Sequence, residues 1–278
     1  MIFHDPRAVL KAHGLWTKKR FGQNFLVTPE IPDRIVRAGG IRDGDIVFEI
    51  GAGCGTLTRA LACQTTRLIA LEYDRDLVPV ARAELAWADH AEVREGNVLD
   101  MDWVALKSEL GQAPLIYGNL PYHLSSKIIL SLIAQPSAWK RACFMLQKEF
   151  AQRLYAPVGS RQSSALTAQC ALWSTTTHAF DVPAHCFHPA PKVESSVITM
   201  ERLEQPRVDV TDAAIFRSVV RALFAQRRKM ARKALKSITD SVDELLERAE
   251  LDGKRRGETF TLEELAQLSR ELAAMRSK

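Results

Sequence analysis

Three glycines and one acidic residue form the first group whose types and spacing suit a chemical task. Gly51, Gly53 and Gly55 follow the apolar stretch DIVFEI, and Glu72 ends the next apolar stretch, RLIALE. Glycines at a strand end let the backbone turn tightly and let a ligand lie against it. A carboxylate at the end of the second strand can accept both hydroxyls of a ribose. The spacing therefore predicts a site for a cofactor that contains adenosine.

Two cofactors, NAD and S-adenosylmethionine, satisfy these features, and three further observations favour the second. The glycine spacing is GxGxG instead of GxGxxG, and we find no second nucleotide-binding half with its own phosphate loop. The third predicted strand ends in Gly96-Asn97, where a polar side chain can reach the edge of an adenine. The sequence thus predicts S-adenosylmethionine as the cofactor, and a plain glycine-rich turn is the simpler alternative.

The stretch from Asn119 to Tyr122, Asn-Leu-Pro-Tyr, supplies groups that could act on a base. It ends the fourth predicted strand, and ligands of open parallel sheets lie at such carboxyl ends, so it should lie beside the methyl group of the cofactor. The Asn119 amide oxygen and the Leu120 carbonyl can each accept one hydrogen of an exocyclic amine, which directs the nitrogen lone pair at the methyl. Pro121 stiffens the loop, and Tyr122 offers a flat face to a flipped base. The pattern predicts methyl transfer to a base amine without a strong general base.

Alternating strands and helices must bring these residues to one edge of a sheet. Apolar stretches alternate with helical patterns between about residues 45 and 155, which predicts a parallel sheet with helices on both faces. The alternating stretch SSVITM predicts an antiparallel strand at the end of that sheet. The predicted fold class is α/β, with a Rossmann-like sheet of the class I methyltransferase type.

A change of pattern near Pro206 predicts a second domain. From Thr211 onward the apolar periodicity is helical, and Thr261 with Glu264 fits a capping box. We therefore predict a catalytic, cofactor-binding domain with a basic N-terminal arm over residues 1–205. A small all-helical domain should cover residues 206–278.

Composition excludes several classes of protein. The chain has 278 residues, of which 46% are hydrophobic, and no apolar run reaches the length of a membrane span. Five widely spaced cysteines argue against a disulfide framework or a zinc site, and His185-Cys186-x-His188 lacks a second ligand pair. No apolar signal segment is visible at the N-terminus. We expect a cytoplasmic protein with free thiols and no metal.

Positive charge is concentrated in two segments of a chain whose net charge is +5. One lies near the N-terminus, and the other runs without an acid from Ala213 to Thr239. Two separate basic segments suggest a polyanionic partner, of which nucleic acid is the commonest, although a solvated helix face explains a single run equally well. The predicted RNA contacts are Lys18, Lys19, Arg20, Arg221, Arg227, Arg228, Lys229, Arg232 and Lys233.

The order of these motifs resembles the small-subunit ribosomal RNA adenine N6,N6-dimethyltransferases along almost the whole chain. Besides EIGAGCGTLT, LEYDRDL and NLPY, the resemblance rests on KKRFGQNFL, FMLQKEFAQRL, FHPAPKVESSV and LFAQRRKMARKALK. It implies the transfer of two methyl groups from S-adenosylmethionine to each of two adjacent adenines near the 3′ end of small-subunit rRNA. The implied role is a late step in ribosome assembly, performed on an immature small subunit by a monomer.

The resemblance also assigns roles to individual residues. Gln23, Asn24 and Leu26 would close over the cofactor, and Gly51 with its neighbours would hold the methionine part. Asn119 would touch both the cofactor and the target amine. Phe187, held rigid by nearby prolines, would stack on the other face of the target adenine, with a plain core phenylalanine as the alternative.

Three positions depart from the family pattern. Asn97 stands where the family usually has an aspartate that accepts from the adenine amino group, which implies altered cofactor contact. His123 stands where an asparagine is common, and GSRQSSALTAQ lacks the usual Tyr-Gly pair. The loop from Pro157 to Ser164 is therefore expected to differ from its counterparts in the family.

Three other functions remain open from the sequence. A dimethyltransferase of large-subunit rRNA, the type that confers macrolide resistance, shares the fold and the Asn-Leu-Pro-Tyr chemistry. A non-catalytic protein that binds RNA during ribosome assembly would explain Asn97, although the intact glycine loop argues against it. A DNA adenine methyltransferase would need a domain dedicated to base edges, and no segment suggests one.

Overall fold

The computed structural model describes residues 3–18, 21–226 and 228–277. The chain divides into two compact units, the first of which contains Met1–Ala151 and Thr177–Arg202. In chain order, this unit and its borders contain α1 (Pro6–Ala12), β1 (Phe25–Leu26), α2 (Glu30–Gly39), β2 (Val47–Ile50), α3 (Thr56–Ala62), β3 (Leu68–Glu72), α4 (Val78–Glu84), β4 (Ala91–Glu95), α5 (Trp103–Leu110), β5 (Leu115–Asn119), α6 (Ser125–Ala134), β6 (Arg141–Gln147) and α7 (Lys148–Tyr155). After α8 (Ala165–Trp173) come β7 (Ser174–Val182), β8 (Phe187–His188) and β9 (Ser195–Arg202).

A seven-stranded sheet with the order β4-β3-β2-β5-β6-β9-β7 forms the centre of the first unit. The first five strands in that order pair in parallel, and β9 pairs antiparallel with β6. The predicted parallel sheet with an antiparallel end is therefore confirmed. The order of the strands reverses between β2 and β5, and such switch points are where open α/β sheets bind ligands at their carboxyl ends.

Apolar burial explains why these segments form strands. In β2 all four residues are buried, and Val47 and Phe48 are fully inaccessible. A strand covered on both faces needs an almost continuous apolar run instead of an alternating one. Residues of β2, β3 and β5 share one core cluster with residues of α2 and α3, among them Leu61, Leu68 and Leu115. This packing fixes the loops at the carboxyl ends of the strands.

The second unit contains Gln152–Thr176 and Leu203–Lys278. After α8 its helices are α9 (Ala213–Ala225), α10 (Ala231–Leu235), α11 (Val242–Arg248) and α12 (Leu262–Arg276). The predicted capping box is confirmed, because the Thr261 side chain accepts from the backbone of Glu264, whose side chain accepts in return from the N-cap backbone.

The boundary predicted at residue 205 is wrong for one segment. Residues 152–176 group with the C-terminal helices and not with the sheet. Ala168 and Leu172 of α8 pack in the same cluster as Phe216, Val220 and Leu223 of α9. The apolar side of α8 is thus buried in the helical unit. In the parts of the chain that the structure describes, no helix is long and apolar enough to cross a membrane.

Candidate active site

A cavity of about 410 Å³ opens at the carboxyl ends of the parallel strands in the first unit. Segments after four strands line it, together with the N-terminal segment from Phe21 to Leu26. Eight of the nine predicted cofactor residues lie on its wall: Gln23, Asn24, Leu26, Gly51, Gly53, Glu72, Asn97 and Asn119. The ninth, Gly55, is not on the wall: it is the N-cap residue of α3 and faces α4, where an added Cβ would lie 3.1 Å from the Cβ of Glu84.

The glycine loop after β2 requires glycine for conformation and for space. Gly51 has a φ of +81° and Gly53 one of +56°, both in the left-handed region. A Cβ on Gly53 would also lie 3.1 Å from the ring of Phe25. The N–H groups of Gly51 and Ala52 both donate to the Leu71 carbonyl, which ties the loop to the end of β3. The loop therefore presents a fixed backbone surface to the cavity.

Glu72 is held in place by the backbone around it. The Gly53 N–H donates to its Oε2 at 2.6 Å, and the Asp74 N–H donates to its Oε1 at 2.7 Å. The side chain is 7% exposed, and this burial raises the pKa of Glu72 against the lowering effect of the backbone donors. Each carboxylate oxygen keeps a further acceptor position. The group is thus oriented as an acceptor for a pair of hydroxyls.

Asn97 follows β4 and caps the short helical turn Val98–Asp100. Its Oδ1 accepts the N–H of Leu99 at 3.1 Å. That bond directs the amide oxygen to its own backbone and leaves one acceptor position on it. The predicted acceptance from an adenine amine by Asn97 stays a prediction.

The Asn119–Tyr122 loop is fixed at three points. Asn119 Nδ2 donates to the Asn24 carbonyl at 3.0 Å, and the Leu120 N–H donates to the Met145 carbonyl at 3.1 Å. The Tyr122 hydroxyl and Ser195 Oγ share a hydrogen bond of 2.9 Å. Its NH₂ group donates to Asn24, and its amide oxygen is the atom that can accept a hydrogen bond from a substrate amine.

Phe187 lies outside the cavity wall. It pairs with Leu26 through β1 and β8, is 4% exposed and belongs to the core cluster that includes Val182 and Val197. In this structure Phe187 is therefore a core phenylalanine, which is the alternative that the sequence left open. Its predicted stacking on a base stays a prediction and requires the ring to become accessible.

Comparison with known proteins agrees with this geometry. The model of a family described as ribosomal RNA adenine dimethylase matches residues 14–273. This chain belongs to the ribosomal RNA adenine dimethylase family. A relative named ribosomal RNA small subunit methyltransferase A, from Magnetococcus marinus, is 44% identical over 95% of this chain and 94% of its own length.

Two solved structures share the fold of this dimethylase. A dimethyladenosine transferase from Plasmodium falciparum gives a TM-score of 0.75 at 24% identity and covers 90% of this chain and 98% of its own. The 23S rRNA methyltransferase ErmE gives 0.69 at 23% identity and covers 90% of this chain and 100% of its own. The fold is that of a class I methyltransferase, as predicted, and the enzyme uses S-adenosylmethionine as its methyl donor.

The N-terminal segment of the dimethylase is tied to the loop after β3. Lys18 Nζ contacts Asp74 Oδ1 at 2.7 Å and also pairs with Asp76, while Gln23 Nε2 donates to Asp74 Oδ2 at 2.8 Å. Phe21 also packs edge-on against Tyr73. Two carboxylates thus pair with the ammonium group of Lys18, which holds the segment beside the cavity, and the RNA contact of Lys18 stays a prediction.

The predicted RNA contacts of the helical unit differ in their surroundings. Arg221, Arg228, Lys229 and Lys233 are exposed, whereas Arg232 pairs with Asp243 at 3.1 Å. Lys19, Arg20 and Arg227 lie outside the described residues. Four bases thus remain accessible to phosphates, and the RNA contacts themselves stay predictions.

Two acidic residues of the site escaped the sequence analysis. Asp74 is the anchor for Lys18 and Gln23, which lie more than 50 positions earlier in the chain, so nothing local marks it. Glu49 lines the cavity at 1% exposure, and burial raises the pKa of its carboxyl to about 8. Its signal was visible, because it is the one acid inside the apolar run VFEI.

Proposed function

We propose that this dimethylase transfers methyl groups from S-adenosylmethionine to the N6 amines of adenines in small-subunit rRNA. The observation that carries the proposal is the anchoring of Asn119 by the Asn24 carbonyl on the same cavity wall as Glu72 and the glycine loop. The name of the Magnetococcus relative supports the small subunit as the target. The resemblance of the sequence motifs extends this to two adjacent adenines of an immature subunit, modified by a monomer.

The cavity fits the cofactor that the family uses. In this proposal Glu72 accepts from a ribose with its oriented carboxylate, Asn97 at the end of β4 contacts the adenine edge, and Gly51 and Gly53 allow a close approach to the backbone. When bound, S-adenosylmethionine supplies a methyl group on a positively charged sulfur. The protein's own groups then have to orient the acceptor amine and exclude water.

The Asn119–Tyr122 loop can perform that orientation. An adenine amine is a weak nucleophile because its lone pair is delocalised into the ring. Acceptance of its two hydrogens by the Asn119 oxygen and the Leu120 carbonyl favours a pyramidal nitrogen whose lone pair points away from both acceptors. Positioning of this kind accounts for a large share of rate enhancement in transfer reactions. The amine loses its extra proton after the new bond has formed, so no strong base is required.

Tyr122 should act through its ring and not through its hydroxyl. Tyr122→Ala is expected to lower kcat/KM about 10- to 100-fold, because it removes the face on which the extruded base stacks. Tyr122→Phe should stay within about fivefold of the wild type, because it loses only the hydrogen bond to Ser195. Steady-state methyl transfer with both variants measures the difference. Equal losses in the two variants would contradict the stacking role.

The proposed activity is tested by radiolabelled methyl transfer. The enzyme is offered under-methylated small subunits, large-subunit rRNA and duplex DNA in parallel, and the labelled base is identified after digestion. Dimethyladenine on the small subunit alone is the expected result. Label on large-subunit rRNA would favour the resistance-type alternative. RNA binding without methyl transfer to any substrate would favour the alternative of a non-catalytic protein that binds RNA during ribosome assembly.

The helical unit should contribute the salt-dependent part of RNA affinity. Replacing Arg228, Lys229 and Lys233 by glutamine is expected to reduce the slope of log affinity against log salt by about two, since each phosphate contact releases counterions. Filter binding of small-subunit rRNA at several salt concentrations measures this slope.

A control triple variant removes the same charge from the first unit. Arg67 and Arg75 are exposed there and already pair with Glu92 and Glu95, and Lys107 lies on α5 of the same unit. If the helical unit holds the phosphates, glutamine at these three positions should change the slope little. Equal effects of the two triple variants would mean that general charge, and not the helical unit, sets the affinity.

A further inference from the structure

Trp16 is the most exposed large apolar side chain among the described residues. It is 80% exposed, and it borders a hollow of about 320 Å³ with Arg7, Lys11 and His188 on its wall. Neither the cofactor cavity nor the Asn119–Tyr122 loop uses this hollow. Exposed single apolar residues are common, but an indole among basic side chains has the composition of a nucleic-acid surface.

The backbone on both sides of Trp16 is anchored. On one side, Leu15 donates its N–H to the Leu10 carbonyl at 2.9 Å and packs against the cluster of Leu10 and Phe25. On the other side, Lys18 is fixed to Asp74. The indole therefore projects from a fixed segment. The protein would lose little conformational freedom when a ligand stacks on it.

The charge around Trp16 favours a polyanion. No acidic residue occurs between Pro6 and Pro29, whereas this stretch contains five bases. Asp5 neutralises Arg7 through a paired contact, but Lys11 is exposed on the same wall. A base stacked on the indole would place its phosphates near such cations, and cationic grooves with aromatic platforms are how proteins hold unpaired strands.

We propose that Trp16 is a stacking platform for an unpaired base of the rRNA substrate outside the target position, with Lys11 at a neighbouring phosphate. This inference rests on the proposed function and adds a second base contact to it. Trp16 precedes Phe21 of the cavity wall by five residues, which span at most about 18 Å. The platform would therefore hold a nucleotide that lies a short distance along the strand from the target adenine.

Kinetics with matched tryptophan variants test the platform. Trp16→Ala is expected to raise KM for under-methylated small subunits about 10- to 100-fold and to leave kcat within about twofold. Trp16→Phe should restore KM to within about threefold of the wild type, because a phenyl ring still stacks. Trp87→Ala is the control, since Trp87 is 49% exposed but lines neither the cofactor cavity nor the hollow beside Trp16. A wild-type KM for Trp16→Ala would overturn the proposal.

Ultraviolet crosslinking supplies a readout that does not depend on catalysis. After irradiation with small-subunit rRNA and digestion with trypsin, the peptide of residues 12–18 should carry a nucleotide adduct that is absent in Trp16→Ala. Failure of methyl transfer together with this adduct would overturn the proposed function alone. A raised KM on intact subunits with unchanged affinity for protein-free rRNA would show a protein partner and overturn the RNA assignment.

Discussion

Replacing Asn119 by alanine is expected to lower kcat for methyl transfer about 100- to 1,000-fold, the effect typical of losing one preorganised polar contact to the reacting group. The residue ends β5, and its NH₂ group is held by the Asn24 carbonyl at 3.0 Å. The remaining oxygen is thereby aimed without any cost of reorientation when substrate arrives. Alanine removes both the acceptor and the tie to the N-terminal segment. Single-turnover rates with small subunits measure the loss directly.

Asn119→Asp separates these two effects. Aspartate keeps an oxygen that can accept from the amine, but it cannot donate to Asn24. We expect a rate between those of the wild type and Asn119→Ala. Cofactor affinity, measured by calorimetry, should fall by no more than about tenfold in either variant, because Glu72 and the glycine loop remain intact. An Asn119→Ala enzyme with a normal rate would exclude the loop from catalysis.

Local patterns in the sequence were sufficient to predict which strand ends line the cavity. Gly51, Gly53 and Glu72 belong to two strand ends, and a strand buried on both faces is visible as an apolar run. Their meeting follows from parallel pairing, because the carboxyl ends of neighbouring parallel strands lie at one edge. Gly55 was placed on the same wall by spacing alone, whereas its neighbour is Glu84 of α4. Helix packing of that kind has no local signal.

Contacts between residues far apart in the chain account for the features that the sequence did not predict. Lys18 belongs to a basic segment, and composition alone predicted a phosphate contact for it. Its partners Asp74 and Asp76 lie on a loop whose approach to the N-terminal segment only the fold determines. The position of α8 has the same origin, because its apolar residues pack on α9, which begins some 40 residues later in the chain. Burial of Phe187 likewise depends on the pairing of β1 with β8.

Glu49 should make the stability of the first unit depend on pH. Its Oε2 has no hydrogen-bond partner among the residues that the structure describes. Burial raises the pKa of the carboxyl to about 8 against the lowering effect of a hydrogen bond with Thr58, and the charge of Glu72 adds to the rise. In the unfolded chain a glutamate ionises near its ordinary value of about 4.3. The folded state therefore favours the protonated form, and stability falls as the pH rises from about 4.3 to about 8.

Glu49→Gln is expected to remove that dependence, because the amide has similar shape and no charge. The stability gained over the wild type should grow by about 3 kcal/mol between about pH 5 and pH 8, as the linkage of proton binding to folding requires. Denaturant unfolding without cofactor, followed at several pH values, measures the gain. Glu95→Gln, which removes an exposed carboxyl from β4, serves as the matched control. A gain that stays constant from pH 5 to pH 8 would mean that Glu49 is ionised in the folded protein, so that the cavity itself must solvate or pair the charge.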